Sequence, residues 1–263
     1  MTIKVNVVLR TCDRVSLAED RIVPKDKCII YCLRSLMKSL ENYGSYTIHV
    51  IDDNSSDETK NEIISLVGIG NVNFLGPRDE SHLTNKQKSR FSVKVAYDYI
   101  KTLPEDELVY IVEDDYLHYS DSIQKMIEAW DFLSRLDNGL NIGVFPQDFT
   151  QLYYHPSNPH NYTYIQPCYI VAGPDRYYRT TWFTHESFMV QKSVITKYQE
   201  HFDELLEIGY VDGKWEGDSI SKVWGKPDVL MFMPMKTLAY HVSKQEDLSL
   251  YCFDFEQLIA ENS

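Results

Sequence analysis

Short apolar runs and amphipathic stretches take turns through the first 146 residues, and few folds accommodate that order. "IKVNVVLR", residues 3 to 10, is strand-like; "CIIYCLRSLMKSLEN", residues 28 to 42, carries Ile29, Leu33, Leu36, Met37 and Leu40 at helical spacing. "YTIHVID" then reads as a second strand, and "SSDETKNEIISLV" as a second helix opening with a capping box from Ser55 to Glu58. "NVNFLG", "TNKQKSRFSVKVAYDYIKTL", "ELVYIV" and "SDSIQKMIEAWDFLSRL" continue the alternation, and "NIGVFP" follows. Strands alternating with helices predict a Rossmann-type α/β fold, a mostly parallel sheet flanked by helices.

Beyond residue 147 the texture changes. "QLYYHPSNPHNYTYIQPCYIVAGPDRYYRTTWF" is crowded with Tyr and Pro and holds two strand-like runs around Pro167, which predicts a small antiparallel region in the C-terminal half. "ESFMV", a helix "SVITKYQEHFDELLEIG", the segment "WEGDSISKVWG" and two strands, "VLMFMP" and "TLAYHV", complete the chain. Its 263 residues suit one large α/β domain.

Asp plus Glu number 39 against 26 Lys plus Arg, a net charge of −13. That balance disfavours general attachment to nucleic acid or anionic lipid. Five cysteines, Cys12, Cys28, Cys32, Cys168 and Cys252, are odd in number and scattered, unlike a disulfide framework or a two-knuckle zinc site. Cys28 and Cys32 share a helical face, as two core thiols or as half of a metal site. With no apolar run long enough to span a bilayer and no leader pattern at the N-terminus, a cytoplasmic protein without a membrane span is expected.

In open α/β sheets ligands bind beyond the carboxyl ends of the strands. The residues there are unusually polar: "RTCDR" (Arg10 to Arg14), "DDNSSD" (Asp52 to Asp57) and "EDD" (Glu113 to Asp115). Carboxylates gathered on one edge repel, and burying one unpaired costs several kcal/mol, so cations must accompany them. Mg²⁺ or Mn²⁺ meets that need, held by one or two carboxylates together with substrate phosphates. A solvated acidic turn has the same composition, but the strand before Glu113 is apolar throughout, which sets its end at the sheet edge.

Three segments resemble glycosyltransferases of the GT-A fold that use nucleotide sugars, chiefly the family-2 type. "VNVVLRTCDR" resembles their opening strand and nucleotide-contacting turn, "HVIDDNSSDET" their "VDDGSTD" segment, and "YIVEDD" their metal-binding DxD segment. The likeness covers residues 3 to 119 and fades afterwards. It implies a GT-A-like fold with a nucleotide-binding half to residue 119 and an acceptor-side half from 120 to 263. Activity would be metal-dependent transfer of a sugar from a nucleotide-diphospho donor to an acceptor hydroxyl.

Carried over by position, the resemblance puts Thr11 beside the base, Arg14 in the same donor turn, and Asp53 as hydrogen-bond acceptor, with Asp52 second. A carboxylate accepts from the imide N–H of uracil, which favours a UDP-type donor and leaves guanosine open. Asp53 and Thr11 are equally residue types that form turns. Asp115 would ligate the metal, Asp114 reach the ribose or transferred sugar, and Glu113, standing where the family has Asp, act through water. Arg90 and then Lys88 match the basic residue at the family's helix start, although Lys86, Arg90 and Lys94 also describe a solvated helix face. The stretch "VSLAEDRIVPKD" exceeds the family's short turn and suits a lid or an acceptor contact.

Inverting transfer needs a carboxylate base near the acceptor. "KWEGDSISKVW" resembles a loosened form of the family's "ED" segment, giving Asp218 and then Glu216 as bases, or as a helix cap and an exposed acid. His241, ending the last predicted strand, matches a His that completes the metal site in several GT-A enzymes, and Lys244 would close over the diphosphate. Trp182, His185 and Glu186 in "RYYRTTWFTHESFMV" fall on the acceptor side, where aromatic residues serve a sugar ring or the core. The acceptor is left open between a glycan, a small molecule and, less favoured, nucleic acid.

Two other functions share these features. A sugar nucleotidyltransferase also uses carboxylate-bound Mg²⁺, but it usually carries a Gly-rich loop after the first strand, and "RTCDRVSLAED" has no glycine. A catalytically silent sugar-nucleotide-binding protein would be expected to lose the carboxylates, and this chain keeps them. A glycosyltransferase acting on modified nucleic-acid bases is a variant of the main reading, opposed by the charge balance.

Overall fold

The computed structural model describes residues 2–13, 23–79, 81–136, 139–148, 167–182, 184–208, 210, 216–242 and 255–263. The alternation holds: β1 (Val5–Thr11), α1 (Lys25–Tyr43), β2 (Tyr46–Asp52), α2 (Asp57–Val67), β3 (Val72–Phe74), α3 (Asn85–Ile100) and β4 (Leu108–Glu113). Then come β5 (Tyr116–His118), α4 (Ser122–Ser134), β6 (Asn141–Val144), β7 (Ile170–Ala172), β8 (Tyr177–Thr181) and β9 (Phe188–Gln191). The rest comprises α5 (Lys192–Lys197), α6 (Gln199–Asp203), a 3₁₀ turn (Glu204–Glu207), α7 (Glu216–Trp224), β10 (Val229–Pro234), β11 (Ala239–His241) and a C-terminal helix, Phe255–Ala260.

Among the described residues nine strands form one sheet in the order β3-β2-β1-β4-β9-β6-β10-β8-β7. Only β9 and β8 run against the others, so the sheet is mostly parallel. Helix α1 packs on α2 and α4, whereas α3 packs on β1, β2 and the 3₁₀ turn, and α6 on α5 and α7. Strands covered on both faces read as continuous apolar runs. In β4, Leu108 through Val112 are at most 2% exposed. At roughly 1.5–3 kcal/mol for each fully buried large apolar side chain, this packing holds the polar strand end in position.

The small antiparallel region is the β7–β8 hairpin, with β8 continuing the pairing onto β10. The strand-like run before Pro167 lies outside the described residues. The expected helix "SVITKYQEHFDELLEIG" is broken into α5, α6 and the 3₁₀ turn. Lys197 and the Tyr198 hydroxyl both turn onto Asp228, and Tyr198 leaves helical geometry at φ −116°, ψ 31°. An additional two-stranded ribbon pairs β5 with β11, setting His241 opposite Tyr116. Among the described residues no helix is long and apolar enough to cross a membrane.

Candidate functional site at the strand ends

Parallel pairing brings the polar strand ends level. Thr11 lies opposite Asp52 and Arg10 opposite Glu113. The Thr11 hydroxyl donates to Asp52 Oδ1 at 2.9 Å, and the other Asp52 oxygen accepts from the Ser55 amide at 3.0 Å. Asn54 between them takes a left-handed φ of 56°, which Asn tolerates better than most residues, and so tightens the turn. Ser56, rather than the expected Ser55, caps α2 by accepting from the Thr59 amide at 3.3 Å. Ser55 is drawn away from that role because its hydroxyl accepts from the Asp13 amide at 3.1 Å.

Asp13 closes the same turn, accepting from the Ser56 amide at 2.9 Å and its hydroxyl at 2.7 Å. Burial pushes the Asp13 carboxyl up, but hydrogen bonds from Ser56 and Thr59 and the nearby Lys60 ammonium hold it below its usual value. Asp53 carries an ion pair to Arg78 at 2.6 Å, and the Arg78 guanidinium lies 4.1 Å from the centroid of the Phe91 ring. That stacked guanidinium beside a carboxylate makes a flat polar wall at the β2 end.

At the end of β4 the chain turns sharply through Asp114 and Asp115 into β5. Asp114 Oδ2 accepts from the Cys12 amide at 2.8 Å, and Oδ1 pairs with the Lys25 ammonium. The same ammonium lies 3.9 Å from Asp115 Oδ2, and His241 Nε2 lies 3.4 Å from that oxygen. Burial pushes the Asp114 carboxyl up, Lys25 opposes that, and the Asp115 charge adds to it. His241 is fixed by the β5–β11 ribbon, with its amide donating to Gln147 Oε1 at 3.2 Å, and its ring lies 5.4 Å from the His185 ring. Behind the turn, buried His118 is held between Tyr110 and the Tyr116 carbonyl, each at 2.9 Å, and burial pushes its pKa down to about 3. The carbonyl accepts from Nδ1–H, so neutral Nε2 accepts from the Tyr110 hydroxyl.

A second charge cluster lies next to the first. Glu186, 2% exposed, receives Arg10 at 2.5 Å on one oxygen and Arg90 at 2.7 Å on the other. Arg10 also reaches Glu113 at 3.4 Å, and the Glu113 amide donates to the Ser187 hydroxyl at 3.0 Å. Arg90 and Glu186, expected on the donor and acceptor sides respectively, are therefore joined to each other. Lys88 stands half-buried in the first turn of α3.

Among the remaining expected residues, His185 is half-buried against His241, while Trp182 is 57% exposed just beyond β8. Glu216 and Asp218 lie in the first turn of α7, with their side chains outside the description. That helix is docked by the Trp224 indole, which donates to the Thr184 hydroxyl at 2.8 Å, one residue before His185. Arg14 and Lys244 lie outside the described residues. Sequence reasoning missed the cations Arg10, Lys25 and Arg78. Their signal was indirect: acids delivered to one edge require cations, and "PKDK" stands at the start of α1.

No protein-family model matches the chain, and no curated protein matches it in sequence. Solved structures do. S. aureus TarS 1-349 shares 13% identity at a TM-score of 0.52, over 98% of this chain and 70% of that one. The galactosyltransferase LgtC, in complex with donor and acceptor sugar analogs, has 13% identity and a TM-score of 0.45 over 86% of this chain and 72% of its own. The glycosyltransferase GlyE of Streptococcus pneumoniae TIGR4 has 13% identity and a TM-score of 0.45 over 98% and 63%. This chain spans 37% of the longer S. aureus TarS chain. The match to TarS 1-349, together with the strand order described above, identifies the fold as GT-A-like α/β.

Proposed function

We propose that the protein is a metal-dependent glycosyltransferase that moves a sugar from a UDP-type donor to an acceptor hydroxyl with inversion. The observation that supports this reading is the meeting, at one sheet edge, of the Thr11–Asp52–Asp53 turn with the Asp114–Asp115–His241 turn. A base-recognition site and a diphosphate site must lie this close in any enzyme that activates a nucleotide sugar. Asp53 accepts from the base, with Thr11 and Asp52 fixing its turn and Arg78 walling it. Asp114 reaches the ribose or the sugar, and Arg14, Lys88 and Lys244 are the basic residues on the donor side. Arg90, the basic residue expected on the donor side, is held by Glu186.

Among the described residues no three His, Cys, Asp or Glu side chains form a ready-made metal cage. Asp115 and His241 nonetheless offer an oxygen and a nitrogen 3.4 Å apart, a donor pair that fits Mn²⁺ or Mg²⁺ completed by phosphate oxygens and water. Glu113 supports them through water. Such an ion, when bound, supplies charge stabilisation to the departing diphosphate.

Asp218, or Glu216 in its stead, takes the proton of the acceptor hydroxyl as its oxygen bonds to the anomeric carbon. The bond from that carbon to the phosphate oxygen breaks, and its electron pair leaves with the nucleoside diphosphate. Trp182 and His185 border the acceptor, a glycan or small molecule; the net charge of −13 disfavours nucleic acid. Cys12, Cys28, Cys32 and Cys168 form no disulfide, which suits a cytoplasmic site of action.

Incubation with UDP-sugars and Mn²⁺ tests the reading. Slow release of UDP, lost in Asp115→Asn, is expected. Pyrophosphate formed from UTP and a sugar phosphate would assign the protein to nucleotidyl transfer instead.

A further inference from the structure

The carboxylate turn already contains a cation. The Lys25 ammonium pairs with Asp114 and lies 3.9 Å from Asp115, with its side chain and both aspartates 10% exposed. Lys25 is the first residue of α1, directly after Pro24, so a pinned helix start delivers it to this position.

We infer that Lys25 is an internal counter-ion which a divalent cation must displace, so that it sets the metal affinity of the Asp115–His241 pair. The inference rests on the metal reading above and adds a residue that this reading does not need. A lysine suits such a role better than an arginine, because its ammonium is a compact point charge on a flexible stem, whereas a guanidinium fork locks onto carboxylate oxygens. Arginine holds the neighbouring acid, Glu186, on both oxygens. An ammonium and a metal ion cannot share Asp115 Oδ2 without mutual repulsion, so binding one weakens the other.

Mn²⁺ titrated into nucleotide-free protein, with free Mn²⁺ counted by electron paramagnetic resonance, tests this without any turnover. Lys25→Met should bind Mn²⁺ at least about tenfold more tightly than wild type, and Lys25→Arg no more tightly than wild type. Asp115→Asn in the Lys25→Met background should abolish the gain. Equal or weaker binding by Lys25→Met overturns the inference and leaves the metal reading standing. Absence of Mn²⁺ binding in both proteins, with saturating UDP as well as without it, overturns the metal reading and the inference together.

The wild type offers a second measurement should Lys25→Met fail to fold. The ¹³Cε resonance of Lys25, assigned by its loss in Lys25→Arg, should shift as diamagnetic Mg²⁺ is added. A resonance unmoved at saturating Mg²⁺ overturns the inference.

Discussion

Two buried acidic clusters lie side by side at the ends of β1 and β4, and they are neutralised in different ways. Glu186 is clasped by two arginines. Asp114 and Asp115 share the Lys25 ammonium, and Asp115 also meets His241. Planar guanidinium groups satisfy both oxygens of a carboxylate at fixed angles, and removing one partner leaves a buried charge uncompensated. An ammonium is a compact point charge on a flexible stem, which a competing cation can exchange. The first cluster is thus built to hold β1, β4, β9 and α3 in register, and the second to accept something from outside.

The comparison makes Glu186→Gln the most damaging single change for stability, since Arg10 and Arg90 both lose their carboxylate. A loss of about 3–5 kcal/mol in chemical denaturation is expected, with any surviving folded protein still binding Mn²⁺. A cost under about 1 kcal/mol would erase the distinction between the clusters.

Asp115→Asn should behave in the opposite way. Its donor turnover should fall by about a hundredfold, equivalent to about 2.7 kcal/mol of barrier, while its stability stays near wild type. Turnover that survives this substitution would move the metal site elsewhere.

Acid sensitivity probes the buried histidine behind the turn. Burial takes the His118 pKa from 6.5 to about 3 in the folded chain. Between those values the unfolded chain binds the proton and the folded chain does not. Stability is therefore intact above the unfolded pKa and falls as pH drops from there toward 3, by up to about 1.4 kcal/mol per pH unit. His118→Asn, which keeps a donor for the Tyr116 carbonyl, should flatten that acid limb in pH-dependent melts. An unchanged limb would assign the acid loss to other groups.

The smallest effect is expected at Ser56, whose hydroxyl caps α2 at the base-side turn. Ser56→Ala should cost about 1 kcal/mol, with little effect on metal binding.

The regions differ also in how much of them could be read beforehand. From β1 to β4 the strands are short apolar-rich stretches and each helix has its own period, so local pattern suffices and the strand-end acids stand out. The cations do not, because their partners are remote in sequence: Arg10 meets Glu186 176 residues away, and Lys25 meets Asp114 89 residues away. Register and packing create those pairs, and no local spacing encodes them. The three-residue strand β5 carries too little pattern to be seen, although its pairing with β11 is what sets His241 beside Asp115. Likewise the break at Tyr198 depends on Asp228, a tertiary partner that overrides an intact helical period.

The central claim, that the strand ends hold a nucleoside diphosphate with a divalent cation, is tested most directly by thermal melts in UDP, GDP, CDP and TDP, each with and without Mn²⁺. A ligand of the folded state at about a hundred times its Kd stabilises by about 2.7 kcal/mol, or roughly 5–10 °C for a chain of this size. The account predicts that shift for UDP with Mn²⁺, a much smaller one without the metal, and neither in Asp115→Asn. No shift with any nucleotide, with or without Mn²⁺, would contradict it.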